Sequence, residues 1–184
     1  MTPYVALLRG VNVGGGNRLP MEGLRATAEH LGFTNVATCL QSGNLLFSSP
    51  DDESEIVARL RAALSERHDL TVPVVVRSAA EFLAVVERHP DHAGALPPKL
   101  LHVAFLDQAP EVDAVDAFDA EQFAPDRWHL DGRELYLTYP DGSARSKMTI
   151  DAFERRWNLI ATARNLNTVR RIADLLTASS SRSD

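Results

Sequence analysis

Cysteine is almost absent from this chain: its 184 residues hold one, Cys39. One thiol builds no disulfide framework and fits a reducing compartment, so a cytoplasmic protein is the expectation. Long apolar runs are missing too. None approaches the ~20 residues that span a bilayer, and the opening Met1-Thr2-Pro3-Tyr4 lacks the basic region of a signal peptide. Positive charge is short: 19 Lys and Arg against 25 Asp and Glu leave a net charge of −6. That speaks against non-specific binding to nucleic acid or to an anionic membrane. The six histidines show no metal-ligand spacing beyond His89 and His92, so no metal is expected. No G-x-S-x-G elbow, S-x-x-K or RNA-reading K/R-G-F/Y-G/A-F-V-x-F/Y signature occurs. The aromatics are few, and Trp128 and Trp157 sit at core spacing, which calls for no cofactor.

What is present is an ordinary globular composition, 45% apolar and 24% charged, enough to bury a core without staples. Tyr4 to Leu8 is a short apolar run that reads as a buried strand. A glycine loop follows, and then Pro20 opens a helix with Met21, Leu24, Ala28 and Leu31 on one face and Gly32 as its stop. Val36 to Leu40 and Leu45 to Phe47 read as strands around a tight turn at Gln41-Ser42-Gly43-Asn44. Asp51-Asp52 starts a helix with the stripe Ile56, Leu60, Leu64. Val72 to Val76 is a β-branched strand, and Ser78 with Glu81 forms a capping box for a further helix. His89 to Pro98 is rich in Pro, Gly and polar residues and reads as a linker.

Beyond it the pattern returns. Leu100 to Leu106 reads as a strand and Glu111 to Phe118 as a short acidic helix. Trp128 to Leu130 and Glu134 to Tyr139 read as a hairpin through Asp131-Gly132. Thr149 to Trp157 is a helix with Phe153 and Trp157 at i, i+4. Leu159 to Ala163 is a short strand, and Val169, Ile172, Ala173 and Leu176 mark a terminal helix. The expected fold is α+β: two tandem ferredoxin-like β-α-β-β-α-β subdomains, residues 1–88 and 89–184, with a linking helix in the first. The repeat is one of architecture, since no identity between the halves is visible.

In such a unit the exit of strand one and the strand two–three turn share one end of the sheet. That end gathers Arg9, Asn12, Gly14, Gly15 and Asn17 beside Gln41, Ser42 and Asn44. Backbone amides of a glycine loop, an arginine and several amide side chains are the inventory of an anion cradle. It is not a Walker A loop, because Gly16 stands where the lysine belongs. Nor is it the dinucleotide pattern G-x-G-x-x-G, because Leu19 stands where the last glycine belongs. The plainer alternative is a turn whose glycines supply positive φ. A second polar cluster, Arg164, Asn165, Asn167 and Thr168, opens the terminal helix, with Asn165 or Asn167 as the alternative N-cap. Ser146 and Lys147 belong to a third stretch, basic and hydroxyl-bearing. The charge is uneven: Asp107 to Asp126 holds seven acids and no base, whereas Arg145 to Arg171 holds seven bases against Asp151 and Glu154.

Leu7-Leu-Arg-Gly-Val-Asn-Val-Gly-Gly15, Thr38-Cys-Leu-Gln-Ser-Gly-Asn44 and Thr162-Ala-Arg-Asn-Leu-Asn-Thr168 together resemble one family. It is the uncharacterised, mostly bacterial family catalogued as domain of unknown function 1697. The resemblance covers nearly the whole chain and implies two ferredoxin-like subdomains; it implies no activity, substrate or catalytic residue. The chain departs from the family pattern at Cys39, where an aromatic is usual, and at Leu166, where Trp is usual.

The function these residues favour is binding of a small phosphorylated or anionic ligand, a nucleotide among the candidates, in a cleft between the subdomains. The three motifs hold Arg, Lys, Asn, Gln, Ser and Thr but no Asp, Glu or His, so they offer no general acid or base. The alternatives are a phosphoryl-transfer enzyme at the same cleft, where positioning and electrostatics dominate, and a regulatory or scaffolding protein without a small ligand.

Overall fold

The computed structural model describes residues 1–14, 16–90, 96–119 and 121–180. Among these lie six α-helices and two four-stranded antiparallel sheets, an α+β architecture. The chain divides into two compact units, Met1–Leu83 with Ile172–Asp184, and Ala84–Arg171.

The first unit runs β1 (Thr2–Leu8), α1 (Met21–His30), β2 (Thr34–Cys39), β3 (Asn44–Ser49), α2 (Glu53–His68) and β4 (Val74–Ser78). Its strands lie in the order β2-β3-β1-β4. Both β1 and β2 are antiparallel to β3, so they run parallel to each other and their C-terminal ends meet the same sheet edge. Alternate residues of the strands, Tyr4, Ala6, Leu8, Leu45, Phe47, Val74 and Val76, pack with Leu24 and Ala28 of α1 and Ile56, Leu60 and Leu64 of α2. The residues of opposite parity, Val5, Leu7, Leu46 and Val75, are buried as well. Burial on both faces is why β1 reads as an unbroken apolar run instead of an alternation. Each such side chain contributes about 1.5–3 kcal/mol on leaving water. The α2 start is fixed by Asp52, whose carboxylate accepts from the Glu55 amide at 2.9 Å.

Next comes α3 (Ala79–Arg88). Its capping box is reciprocal: the Ser78 amide donates to the Glu81 carboxylate at 2.9 Å, and the Glu81 amide donates to Ser78 Oγ at 3.3 Å. The second unit continues with β5 (Leu101–Leu106), α4 (Val112–Asp116), β6 (Arg127–Asp131), β7 (Glu134–Thr138), α5 (Ile150–Trp157) and β8 (Ala161–Asn165), followed by α6 (Leu166–Ser180). Its strand order is β6-β7-β5-β8, the same as in the first unit. One face of this sheet carries an aromatic core: Phe118 stacks on Phe153 at 4.9 Å, and Phe153 lies 5.0 Å from Trp157. The Trp157 indole donates to Ala114 O at 3.2 Å, tying α5 to α4.

Several boundaries differ from the sequence reading. The hairpin turn sits one residue earlier than expected. Cys39 pairs with Asn44, and Leu40 and Gly43 take left-handed φ values of 59° and 71°. Asn44 is drawn into the ladder because its side chain donates to Cys39 O at 2.8 Å and to Ser42 Oγ at 3.1 Å. β4 begins at Val74 and not at Val72, since Pro73 has no N–H to give a ladder. β8 runs to Asn165, which places Arg164 inside a strand. His89 is not an exposed linker residue: it is 1% exposed, edge-on to Tyr136 at 5.3 Å. His92 and half of the expected linker, residues 91–95, fall outside the described residues.

Candidate functional site

Where β1 ends, the backbone is clamped on both sides. Leu8 N donates to Gly43 O at 2.8 Å, and Arg9 N donates to Pro73 O at 3.0 Å. The loop that leaves this clamp takes left-handed φ at alternate residues, 66° at Gly10, 56° at Asn12 and 64° at Gly14, and again 48° at Asn17. Asn12 N donates to Asn17 O at 3.1 Å and closes the loop on itself. The Asn12 side chain is a brace: Nδ2 donates to Leu19 O and to Gln41 O, each at 2.8 Å, and Oδ1 accepts from Leu19 N at 2.9 Å. Buried Val11 and Leu19 anchor the loop from below. Gly43 has no alternative, since a Cβ there would lie 2.8 Å from Leu8 Cβ. Thus the 10–17 loop and the 41–44 turn are neighbours at one end of the first sheet, as the split β-α-β reading expects.

These bonds sort the expected site residues. Asn12 is committed to holding the loop against the turn at Gln41, and Asn44, fully buried, to closing its own hairpin at Cys39 and Ser42. Gly14, Gly16, Asn17 and Gln41 face solvent, with Arg9 half-buried at the rim; Gly15 lies outside the described residues. Two side chains the sequence reading did not single out stand at the same place. Val13 is 63% exposed and Leu40 is 53% exposed, each adjacent in sequence to a member of the Asn12–Gln41 bond. A leucine at positive φ is strained by roughly 1–2 kcal/mol, and here burial of the side chain does not repay the strain.

The remaining expected residues lie on other elements, in or next to the second unit. Arg164 is 9% exposed on β8, and its Nη1 donates to Thr162 Oγ1 at 2.9 Å and Ala163 O at 2.8 Å. Burial brings its pKa down to about 10. Asn165 is the N-cap of α6, accepting from Thr168 N at 2.9 Å, while Asn167 is exposed. Leu166 is fully buried at the first turn of α6, and Cys39 is buried, so both departures from the family pattern are core positions. Ser146 bonds to Asp126 and to Met148 N.

Lys147 is exposed and lines a groove of ≈ 560 Å³ with Phe118, Gln122, Arg155 and Arg156. Sequence spacing gave no sign of this groove, because the residues after α4 and the helix α5 that wall it are far apart in the chain. Among the described residues no group of three His, Cys, Asp or Glu is placed to hold a metal, and no helix is long and apolar enough to cross a membrane.

The family model described as "Protein of unknown function (DUF1697)" matches residues 1–136. Among solved structures, the chain is similar to "conserved bacterial protein SP0830 from Streptococcus pneumoniae", with a TM-score of 0.69 and 21% identity over 95% of this chain and 98% of that one. At that identity the likeness speaks for the fold alone. No curated protein matches the chain.

Proposed function

The chain belongs to the DUF1697 family, and from that premise and the geometry of its first unit we propose that it binds a small phosphorylated or otherwise anionic ligand at the Arg9–Asn17 loop. The observation that carries this reading is the alternation of left-handed residues at Gly10, Asn12 and Gly14. Alternating backbone hands turn N–H groups toward one side of the chain, the concavity that holds phosphate in anion-binding nests; Asn12 N is spent on closing the loop to Asn17 O, so its neighbours' N–H groups are the ones offered. Arg9 supplies charge at the rim, and Asn17, Gln41 and Ser42 supply amide and hydroxyl groups. The exposed Val13 and Leu40 supply an apolar margin, which suits a ligand that carries an organic body on its anionic group. The bracing by Asn12 makes the loop rigid before the ligand arrives, and this reduces the entropy lost on binding.

Two finer assignments belong to the same reading. Each unit is ferredoxin-like, which the common strand order β2-β3-β1-β4 and β6-β7-β5-β8 supports. A cytoplasmic location is supported by the near absence of cysteine.

Thermal denaturation with pyrophosphate tests the proposal. A ligand at 100 times its Kd adds about 2.7 kcal/mol of stability. The expected result is a concentration-dependent rise in Tm for the wild type and a smaller one for Arg9→Met and Asn17→Ala. No rise with pyrophosphate, phosphate or nucleotides, or an equal rise in both variants, counts against the site.

A further inference from the structure

The groove of the second unit has a composition that neither the fold nor the helix ends account for. Its walls are the residues after α4 on one side and α5 with Lys147 on the other. The ≈ 560 Å³ volume falls inside the range typical of small-molecule sites, about 300–1,000 Å³. Three cations, Lys147, Arg155 and Arg156, line it against one acid, Asp119, in a chain whose net charge is −6.

Arg155 and Arg156 lie in the last turn of α5, where the helix dipole favours positive charge, so their presence alone proves nothing. Lys147 is different. It stands two residues ahead of the N-cap Thr149, at the end of the helix where a cation is disfavoured. Among the described residues its ammonium has no protein partner, nor has the Arg155 guanidinium, and both are exposed. Arg156 is held in place by one bond, Nη2 to Ala117 O at 3.0 Å, which leaves most of its five donors for a ligand. Beside the cations the groove exposes Phe118, whose ring is fixed by stacking on Phe153 and by contacts with Trp128 and Trp157, each 5.5 Å away. A second groove of ≈ 380 Å³ shares Gln122, Phe123 and Lys147 with it.

We infer that this groove is a second ligand site, for a phosphate monoester that carries a planar or apolar body. A monoester has about −1.5 to −2 charge at neutral pH, which the three cations match. Arginine forks bind phosphate oxygens bidentately, and the Phe118 margin takes the body. All its residues belong to the second unit, whereas the Arg9–Asn17 loop belongs to the first.

Both tryptophans of the chain lie against Phe118, so their emission reports on this groove. The full chain is titrated with adenosine 5′-monophosphate while tryptophan emission is recorded at 295 nm excitation. Adenosine and inorganic phosphate serve as the two partial probes. The expected result is a saturable change with the nucleotide and affinity lower by about tenfold or more for each partial probe. In Lys147→Gln/Arg155→Gln the nucleotide also binds at least about tenfold more weakly, with Tm unchanged, since neither side chain has a protein partner. Arg9→Met retains the full tryptophan response, which separates this site from the first. No emission change at about 10 mM nucleotide, a response unaltered in the double variant, or equal affinity for phosphate and nucleotide overturns the inference. Stabilisation by nucleotide without an emission change also overturns it and leaves the loop site standing.

Discussion

The ends of the two first strands, Leu8-Arg9 in one unit and Leu106-Asp107 in the other, are built alike and finished differently. Leu8 N donates to Gly43 O and Arg9 N to Pro73 O; in the second unit Leu106 N donates to Arg133 O and Asp107 N to Ile160 O. At the place where the first unit has an arginine and a glycine-rich loop, the second has an aspartate whose carboxylate accepts from Ile160 N at 2.9 Å. The sheet end in the second unit is closed by the chain's own anion, and a further anion there meets repulsion. In the first unit the same end is cationic and leads into alternating left-handed residues. A shared backbone plan thus leaves the chemistry of the site to two or three side chains, and fold alone does not assign function.

The fourth strands repeat the lesson. Arg77 on β4 faces Val5 of β1, and Arg164 on β8 faces Val103 of β5; each donates to the carbonyl of its preceding residue at 2.8 Å and precedes a helix cap. Arg77 lies 3.6 Å from the Glu53 carboxylate, whereas Arg164 is held by a hydroxyl and carbonyl and is desolvated enough to lower its pKa.

The largest effect that sharpens this comparison is at the hairpins. Gly43→Ala adds a Cβ against Leu8 at positive φ and lowers stability by about 3 kcal/mol in denaturant unfolding. Gly132→Ala in the other hairpin also has positive φ but meets nothing within 4 Å, so it loses about 1 kcal/mol. Equal losses break the claim that only the first hairpin is locked against its strand end. Leu40→Asn relieves a strained, exposed leucine and raises stability by roughly 1 kcal/mol; a loss there shows that Leu40 has a packing role. Tyr136→Phe in the second unit removes a buried hydroxyl without a hydrogen-bond partner among the described residues, and it raises stability by about 1 kcal/mol.

The smallest effect is acid sensitivity. Burial lowers the His102 pKa, with the Leu100 backbone opposing and His89 adding to it. The unfolded chain then binds the proton more readily than the folded one, so stability rises with pH and is lost as pH falls through the ordinary histidine value of 6.5. Asp52 in the first unit has a lowered pKa, chiefly from the Glu55 amide, and yields its contribution only below 3.8. Wild type therefore loses Tm between pH 7.5 and 5.5, and His102→Gln loses less.

Much of this was legible in the residues. The unbroken run Tyr4–Leu8 announced a strand buried on both faces, Ser78 with Glu81 announced a helix start, and the β-α-β-β-α-β order placed the 10–17 loop beside the 41–44 turn. The misses have physical causes. Propensity gives no warning that Leu40 would take a glycine-like φ, because the hairpin geometry imposes it. The spacing of Asn12 and Asn44 also gave no sign that their amide side chains bond to backbone carbonyls. The groove around Lys147 depends on tertiary packing of α4 against α5, which no local pattern records.

The central claim is that the first unit's strand end accepts an anion and the second unit's does not. Residue-resolved ¹H–¹⁵N NMR titration with pyrophosphate tests it most directly. The account predicts saturable amide shifts at Gly10, Asn12, Gly14, Gly16 and Asn17, with Asp107, Gln108 and Ala109 unmoved. Silent amides across Gly10 to Asn17, or shifts of equal size at Asp107 to Ala109, contradict it.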